Sequence, residues 1–358
     1  MSANFHPLTV AEVVNETPDA KSFRFEIPDG LEEEFAFRAG QHLTFKHEIG
    51  GEEVRRNYSL CVAPEEGVWK VTVKRIEDGA FSNWANDNLK PGDRIEAIPP
   101  HGSFTWDFDA QAENHYAGFA GGSGITPVMS LLKTALLREP ESRFTLFYGN
   151  RDSRSVIFLE ELARLKNRFM DRLEVHHFFS DEAGEIDLFN GMLDREKCGE
   201  IVGALIDPED IAAFFICGPG PMMDAAEEAL AAAGVAKEKI HIERFTAGRP
   251  SAARAKEIRK RQSEAAGLSL WVTLDGRKRK VAFDAEAGNI LDSARAAGLP
   301  APFACKAGVC ATCRAKVVEG KVDMAARYGL TDEEIAEGYV LTCQSVPLGD
   351  GVAVDYDA

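Results

Sequence analysis

Four cysteines near the C-terminus have the type and spacing of ligands to an iron–sulfur cluster. Cys305, Cys310 and Cys313 form a C-x4-C-x2-C motif, and Cys343 follows after a longer interval. This is the plant-type pattern for a [2Fe–2S] cluster. Gly308 and other small residues of the loop let backbone N–H groups approach the sulfurs. A structural zinc site or unrelated buried cysteines are the alternatives, but zinc ligands usually come as two short pairs, which this motif lacks.

Two glycine-rich turns predict a dinucleotide-binding crevice. The first, GGSGITP at residues 121–127, follows an apolar run, and the second, CGPGPM at residues 217–222, follows another. Glycines let the backbone approach a pyrophosphate, and a helix N-terminus offers free N–H groups. A tight strand–helix turn is the alternative for either one alone, but two such turns in one parallel sheet form a crevice. The candidate nucleotide-binding residues here are Gly122, Ser123, Gly124, Thr126, Pro127, Cys217, Gly218, Pro219, Gly220 and Met222.

The choice between NADPH and NADH depends on the end of the next predicted strand. Arg151, Ser153 and Arg154 follow the apolar run Phe144–Tyr148. Cationic and hydroxyl side chains at this place favour a 2′-phosphate, whereas a carboxylate favours a 2′-hydroxyl. We expect Arg151 and Ser153 to bind NADPH, but Asp152 leaves NADH open.

A short string in the N-terminal part could serve a flavin. On an extended strand Arg56 and Tyr58 share one face and Ser59 lies on the other. A cation, an aromatic ring and a hydroxyl suit a phosphate, a ring face and N5, although any half-buried strand could carry them. A second stretch adds charge and hydroxyl groups at a predicted helix start; its candidate residues are Val73, Lys74, Arg75, Ser82 and Asn83.

The composition is that of an ordinary globular protein with a strong negative charge. The chain has 358 residues and a formal net charge of −17, which argues against nucleic-acid binding because phosphate neutralisation needs a basic surface. We find neither a signal peptide nor an apolar run of membrane-spanning length. Cys61, Cys198 and Cys217 are widely spaced and are interpreted as reduced thiols of a cytoplasmic protein.

The patterns predict a multidomain chain of three fold types. Short alternating runs with turn signals indicate an antiparallel β-barrel or sandwich over residues 1–112. Strands alternating with helices indicate a Rossmann-like, doubly wound α/β domain over 113–245. Residues 246–267 are locally basic and are interpreted as a tether, partly helical, with docking to an acidic partner or to the neighbouring domain as the alternative. Residues 268–358 show the strand, strand, helix, cysteine-loop order of an α+β, β-grasp ferredoxin.

The motifs in this order resemble the ferredoxin–NADP reductase family, in the subgroup with a C-terminal plant-type ferredoxin domain. The resemblance rests on RNYS at residues 56–59, GGSGITP, CGPGPM and the four cysteines, and covers nearly all the chain except the tether. It implies a six-stranded barrel holding FAD, with Arg56 on its phosphate, Tyr58 against the isoalloxazine and Ser59 near N5. Other residues are implied to contact the flavin or the flavin–nicotinamide junction: Lys74, Arg75, Ser82, Asn83, Thr126, Glu243 and Phe245. Tyr58, Ser59 and Cys217 are the candidate catalytic residues.

The resemblance implies a reductase component that serves a multicomponent oxygenase. Electrons would pass from NADPH or NADH through FAD and the [2Fe–2S] cluster to an oxygenase that docks at the ferredoxin domain. Delivery to a soluble carrier and a non-enzymatic redox-sensing or zinc-stabilised module are the alternatives. Acidic residues near the cysteine loop either steer a basic partner or form a solvated face; they are Glu319, Asp323, Asp332, Glu333, Glu334 and Glu337.

Overall fold

A computed structural model describes residues 5–246 and 252–358 of the chain. The chain divides into two compact units, one over residues 5–243 and one that begins at Arg244 and runs to the C-terminus. Among the described residues, no helix combines the length and the apolar character needed to cross a membrane. We describe each unit by itself.

The first sheet of the N-terminal unit is an antiparallel barrel. Its strands are β1 (His6–Thr17), β2 (Ala20–Glu26), β3 (His42–Ile49), β4 (Glu52–Ser59), β5 (Trp69–Lys74) and β6 (Arg94–His101). They pair in the order β4-β3-β6-β1-β2-β5, and a bridge between Leu60 and Val71 joins the two ends of the sheet. Inward-facing Phe23, Phe45 and Val73 belong to the core, and helix α1 (Ala80–Asn88) adds Phe81 to it. The six-stranded barrel expected from the resemblance is confirmed.

The second sheet of this unit is parallel and has helices on both faces. Its elements are β7 (His115–Gly121), α2 (Ile125–Arg138), β8 (Arg143–Asn150), α3 (Leu159–Arg168), β9 (Leu173–Phe179), α4 (Arg195–Ala204), β10 (Ile211–Cys217), α5 (Gly220–Ala232) and β11 (Ile240–Glu243). The strand order is β11-β10-β7-β8-β9. Helices α2 and α3 pack on one face and α4 and α5 on the other, so the strands are buried on both sides and consist of apolar runs. This confirms the doubly wound α/β prediction.

Helices α2 and α5 begin within the glycine-rich motifs. Helix α2 begins at Ile125, two residues before Pro127, and α5 begins at Gly220, in the middle of CGPGPM. Both helices therefore start inside the glycine turns. Their first N–H groups consequently lie at the carboxyl edge of the sheet, where the two turns meet.

The C-terminal unit is a small α+β domain. Its elements are α6 (Ala252–Glu264), β12 (Ser269–Leu274), β13 (Arg277–Ala282), α7 (Ile290–Ala296), β14 (Arg314–Glu319), β15 (Val322–Met324), α8 (Asp332–Ala336), β16 (Tyr339–Leu341), β17 (Ser345–Pro347) and β18 (Val352–Asp355). One sheet has the order β13-β12-β18-β14-β16, and β15 pairs with β17. The predicted hairpin turns at Asp275-Gly276, both at positive φ, and α7 is followed by Gly298, also at positive φ.

The predicted tether contains a helix that is attached to this unit. In α6, Gln262 donates to the Gly288 carbonyl oxygen at 2.9 Å, and Arg254 lies 3.7 Å from Asp323. Ala265, directly after the helix, is buried in the core of the unit. A flexible coil therefore does not describe residues 252–264, while residues 247–251 of the predicted tether lie outside the described residues.

Candidate functional site

The cysteine loop brings its four sulfurs together as two pairs. Cys305 and Cys310 lie close enough to shift each other's thiol pKa, and so do Cys313 and Cys343. Cys310, Cys313 and Cys343 are buried, whereas Cys305 is partly exposed. Cys343 lies in a 3-10 turn, Thr342–Gln344, directly after β16, so the fourth thiol is carried by a turn at the end of a strand. The Thr342 hydroxyl donates to the Cys313 carbonyl oxygen at 2.9 Å and ties this turn to the loop.

Backbone N–H groups of the loop point at the sulfurs. The Ala307 N–H donates to Cys305 Sγ at 3.3 Å, and the Gly308 N–H donates to Cys343. The loop needs left-handed backbone at Lys306, Gly308 and Ala311 to turn this tightly. At Gly308 a Cβ atom would lie 2.8 Å from the Gln344 side chain and 3.0 Å from the Ala326 carbonyl oxygen, so glycine is required there.

This donor set fits a [2Fe–2S] cluster. Two thiols for each of two irons is the coordination such a cluster needs, and N–H groups aimed at sulfur stabilise its negative charge. The C-x4-C-x2-C spacing with a distant fourth cysteine matches a two-iron cluster better than a mononuclear zinc site.

The predicted flavin strand presents its residues as their alternation requires. Tyr58 packs against Phe81, with ring centroids 5.5 Å apart, and Ser59 is buried. Burial raises the pKa of the Tyr58 phenol, although the Arg56 charge opposes this shift, so the ring stays neutral. Arg56 is exposed, and its guanidinium donates to the Arg55 carbonyl oxygen at 2.7 Å.

The start of helix α1 fits the phosphates of a flavin nucleotide. Its N-cap residue Gly79 offers no side-chain cap, so N–H groups of the first turn remain available to an anion. A Cβ on Gly79 would lie 2.4 Å from Ser82 Oγ, which keeps this turn closely packed. The Ser82 hydroxyl accepts from the Ile76 N–H at 3.2 Å, and Asn83 donates to the Ile76 carbonyl oxygen at 3.2 Å.

The residues just before α1 have separate placements. Val73 is buried in the barrel core. Arg75 pairs with Asp87 of α1 at 2.5 Å, which occupies its guanidinium with a carboxylate. Lys74 instead lies near the first glycine turn, since its Nζ is 3.7 Å from where a Cβ of Gly122 would be. The structure therefore separates Lys74 from Arg75, although the sequence grouped them.

The two glycine turns meet at the carboxyl edge of the parallel sheet. A Cβ on Gly124 would lie 2.1 Å from the Cys217 carbonyl oxygen, and one on Gly121 would lie 2.6 Å from Pro219. A Cβ on Gly218 would lie 2.8 Å from Met222. The turns are packed backbone against backbone, and only glycine allows this approach.

A cavity of about 580 Å³ opens beside the glycine turns. Its volume suits a nucleotide, and its lining is mostly apolar, with three cations (Lys74, Arg151, Arg195) and three carboxylates (Asp194, Asp224, Glu228). Among the predicted nucleotide residues the lining includes Gly122, Arg151, Pro219 and Met222, together with Lys74. Ser123, Thr126 and Pro127 lie in the adjoining turn and first helical turn, where Thr126 Oγ1 donates to the Ser123 carbonyl oxygen at 3.0 Å.

Cys217 is positioned as a packing residue of β10. Its thiol is fully buried, and burial together with the nearby Glu243 carboxylate raises its pKa well above the ordinary value. Glu243 pairs with Cys217 in register across β11 and β10. A thiol in this state is a poor nucleophile, so any role for Cys217 is by contact. Phe245 is exposed and belongs to the C-terminal unit.

Three protein-family models match successive parts of the chain. An oxidoreductase FAD-binding domain matches residues 7–106, an oxidoreductase NAD-binding domain matches 119–228, and a 2Fe-2S iron-sulfur cluster binding domain matches 272–348. The chain is also 44% identical, over 99% of its length and 98% of the relative, to a subunit of 1,2-phenylacetyl-CoA epoxidase from Escherichia coli. The chain belongs to the ferredoxin–NADP reductase-like family. Its cofactors are accordingly FAD, a [2Fe–2S] cluster and a pyridine nucleotide.

Other relatives of this reductase support the same layout. It is 36% identical, over 98% of its length and 96% of the relative, to the ferredoxin reductase component of 3-ketosteroid-9-alpha-monooxygenase from Rhodococcus rhodochrous. Phthalate dioxygenase reductase, a solved structure described as modular, shares the fold with a TM-score of 0.61, at 23% identity and 98% coverage of both chains. The chain is thus an oxidoreductase whose relatives are reductase components of oxygenases.

The structure of the reductase adds cavity residues that the sequence patterns did not indicate. Ser180, Met192 and Arg195 line the nucleotide cavity. Ser180 directly follows β9, so the carboxyl-edge rule applied to the strand after Phe144–Tyr148 could have found it. Met192 and Arg195 lie at the start of α4, in a stretch with no glycine motif, and no sequence signal marks them.

Ser153 is not part of the lining of the nucleotide cavity. It begins a 3-10 turn, Ser153–Ser155, in which Asp152 Oδ1 accepts from the Ser155 N–H at 2.9 Å. This turn directs Ser153 and Arg154 into a separate cleft of about 450 Å³ that Lys70 also lines. Of the residues predicted for the 2′-phosphate, the cavity lining contains Arg151 alone.

Proposed function

We propose that this reductase passes electrons from NADPH through FAD and the [2Fe–2S] cluster to the oxygenase component of a phenylacetyl-CoA epoxidase. The observation that carries the proposal is the 44% identity to a subunit of that enzyme over 99% of the chain. Service to a 3-ketosteroid-9-alpha-monooxygenase is the second candidate, since that reductase is 36% identical over a comparable length.

The order of the cofactors follows from their chemistry. A nicotinamide gives two electrons together as a hydride, whereas a [2Fe–2S] cluster takes one electron at a time. A flavin can accept the hydride and release its two electrons one by one. The protein supplies position and electrostatics. In this proposal the barrel binds FAD, the α/β part binds the nucleotide, and the C-terminal unit holds the cluster, with domains at residues 1–112, 113–245 and 268–358.

The barrel residues bind different parts of FAD in this proposal. Exposed Arg56 binds a flavin phosphate, and the uncapped start of α1 with Ser82 and Asn83 binds the pyrophosphate. Tyr58, kept neutral by burial, packs against the isoalloxazine. The buried Ser59 hydroxyl donates a hydrogen bond near N5. Because Arg75 already pairs with Asp87, we assign it to holding α1 on the barrel instead of to the flavin.

The nucleotide binds across the two glycine turns in this proposal. Lys74, above Gly122, reaches the dinucleotide pyrophosphate from the barrel side of the cavity. Arg151 and Ser180 supply a cation and a hydroxyl for a 2′-phosphate, which supports NADPH over NADH, whereas Arg195 pairs with Glu228 at 3.2 Å. The relevant test is stopped-flow flavin reduction with each nucleotide, and a clear preference for NADH would reverse this assignment.

The oxygenase docks at the cluster loop, where Cys305 is partly exposed. Asp332, Glu333 and Glu337 have exposed side chains in the same unit and would steer a basic partner surface. Asp323 and Glu334 pair with Arg254 and Arg314 within the unit. Seven free cysteines in the described residues accord with a reducing, cytoplasmic setting, which is also part of the proposal.

The test of the proposal is coupled turnover. The holoenzyme is mixed with purified phenylacetyl-CoA epoxidase oxygenase, or with a 3-ketosteroid-9-alpha-monooxygenase oxygenase, and NADPH oxidation is compared with product formation. We expect tight coupling with the first and poor coupling with the second. Equal, uncoupled rates with both would favour delivery to a general carrier. Rates that fall with ionic strength are expected if the acidic residues steer docking.

A further inference from the structure

The turn between β1 and β2 places a carboxylate against two cations of the nucleotide cavity. Asp19 Oδ2 lies 3.6 Å from Lys74 Nζ and 3.5 Å from Arg151 Nη2. Lys74 ends β5 of the barrel and Arg151 follows β8 of the α/β sheet. Both cations line the cavity, so one carboxylate oxygen connects its two sides.

Asp19 is held in place by contacts of its own. The Thr17 hydroxyl donates to Asp19 Oδ1 at 2.7 Å, and the Asp19 carbonyl oxygen accepts from the Arg75 N–H at 2.7 Å. The turn is short, because Thr17 pairs directly with Ala20 across it. The second oxygen, Oδ2, is therefore directed at Lys74 and Arg151 by a fixed backbone.

The same two cations are those that a nucleotide needs. The Lys74 ammonium is 3.7 Å from where a Cβ of Gly122 would stand, above the first glycine turn. A phosphate oxygen bound at that turn draws on the Lys74 ammonium that Asp19 now neutralises in part. Arg151, with a side chain 65% exposed, can leave Asp19 at little cost. Carboxylate and phosphate therefore compete for the same charges.

We propose that Asp19 is an internal counter-ion that competes with the nucleotide for Lys74 and Arg151 and lowers the affinity of the site. The inference rests on the proposed nucleotide-binding roles of these two cations. NADPH and NADP⁺ carry the same phosphates, so Asp19 lowers the affinity for both. The lower affinity for NADP⁺ lets the oxidised product leave the site. Asp19 is a positioning residue and takes no part in hydride transfer.

The experiment measures the Kd of NADP⁺ by isothermal titration calorimetry on the FAD-loaded holoenzyme. Asp19→Asn keeps the shape and can still accept from Thr17, but it removes the charge. We expect Asp19→Asn to bind NADP⁺ about three- to tenfold more tightly, the size expected for two partly exposed ion pairs. Its affinity should also fall more steeply with salt, because the site carries one more net positive charge.

Two control variants separate the counter-ion role from a structural one. Asp19→Glu retains the charge and should restore most of the wild-type Kd. Glu12→Gln removes a carboxylate of the same strand pair that faces Arg24 at 3.2 Å, and the Kd should not change. Steady-state rates of Asp19→Asn should show a lower KM for NADPH without a rise in kcat.

Weaker or unchanged binding in a folded Asp19→Asn variant would overturn the inference, since Asp19 would then orient the cations or be irrelevant to them. Lys74→Met and Arg151→Gln distinguish this failure from failure of the proposed site. If either variant weakens NADP⁺ binding while Asp19→Asn does not tighten it, only the counter-ion inference fails. If neither variant changes the Kd, the proposed nucleotide contacts themselves are wrong.

Discussion

Three of the four cluster thiols come from residues 305–313, whereas the nucleotide cavity collects its lining from Lys74 to Glu228. In the loop, ligand geometry follows from chain spacing and a few left-handed residues. In the cavity, it depends on how a barrel and a parallel sheet pack. A local site is thus sensitive to its own sequence, and a distributed site is sensitive to the elements that carry it.

The largest expected effect comes from removing a cluster ligand. Cys313→Ser takes one thiolate from the buried pair with Cys343, so we expect loss of iron and sulfide and loss of electron delivery to the oxygenase. Flavin reduction by NADPH should continue, because the cavity is built elsewhere. Iron analysis measures the loss of the cluster, and stopped-flow absorbance measures the reduction of the flavin. Cys198→Ser, at a buried thiol of α4, is the matched control. Loss of both activities in Cys313→Ser would show that the sites are not independent.

The next effect is a steric change in the distributed site. Gly124→Ala would drive its Cβ to 2.1 Å from the Cys217 carbonyl oxygen, so the two turns must separate. We expect the KM for NADPH to rise by about tenfold or more, equivalent to about 1.4 kcal/mol. Gly199→Ala in helix α4, outside both glycine turns, meets nothing within 4 Å and should be nearly silent. A similar rise in KM for both variants would mean that close packing between the two turns is not the cause.

Removal of a buried cation tests the packing that supports the cavity. Lys133 of α2 is 5% exposed and lies 2.8 Å from Glu66 and 2.5 Å from Glu161. Lys133→Met removes the ammonium group that pairs with these two carboxylates. We expect a loss of about 3 kcal/mol in the free energy of unfolding at neutral pH. Urea denaturation measures it. Lys260→Met, at an exposed i,i+4 pair with Glu264, should change stability little. A small effect at Lys133 would imply that Lys70 compensates.

The same network predicts a pH dependence. Burial acts to raise the pKa of Glu161, but Lys133 and Lys70 outweigh it and the net shift is downward. A carboxyl with a lowered folded-state pKa adds stability above its unfolded-state pKa and loses it as the pH falls through the folded value. The stability difference between wild type and Glu161→Gln should therefore be greatest near neutral pH and shrink in acid. A difference that grows in acid would contradict the assigned direction.

A change confined to the cluster loop is expected from a single glycine of the local site. Gly308→Ala forces a Cβ towards Gln344 and Ala326 beside the sulfurs, and its left-handed backbone costs about 1–2 kcal/mol. We expect a faster loss of cluster absorbance in the presence of chelator. Gly298→Ala has the same positive φ with nothing within 4 Å, so it reports the backbone cost alone. Equal rates in the two variants would show that the contact of the new Cβ with Gln344 and Ala326 has no effect on the cluster.

The sequence predicted the elements well because their patterns are local. Alternating Val71 and Val73 mark a barrel strand, and apolar Phe214–Cys217 marks a buried parallel one. The prediction was poorer where a local turn decides which cleft a side chain enters. Ser153 was expected to bind the 2′-phosphate, but it lies in a turn capped by Asp152 and lines another cleft. The roles assigned to the flavin and nucleotide residues stay predictions.

The sequence by itself determined the four thiols, the two glycine turns and the three fold types, because each is fixed by residue type and short-range spacing. The tertiary structure alone decided that Asp19, Lys74 and Arg151 meet, and that Ser180 and Arg195 line one cavity. These residues come from strands and turns far apart in the chain. Their contact depends on how the barrel packs against the parallel sheet, and no spacing in the sequence encodes that arrangement.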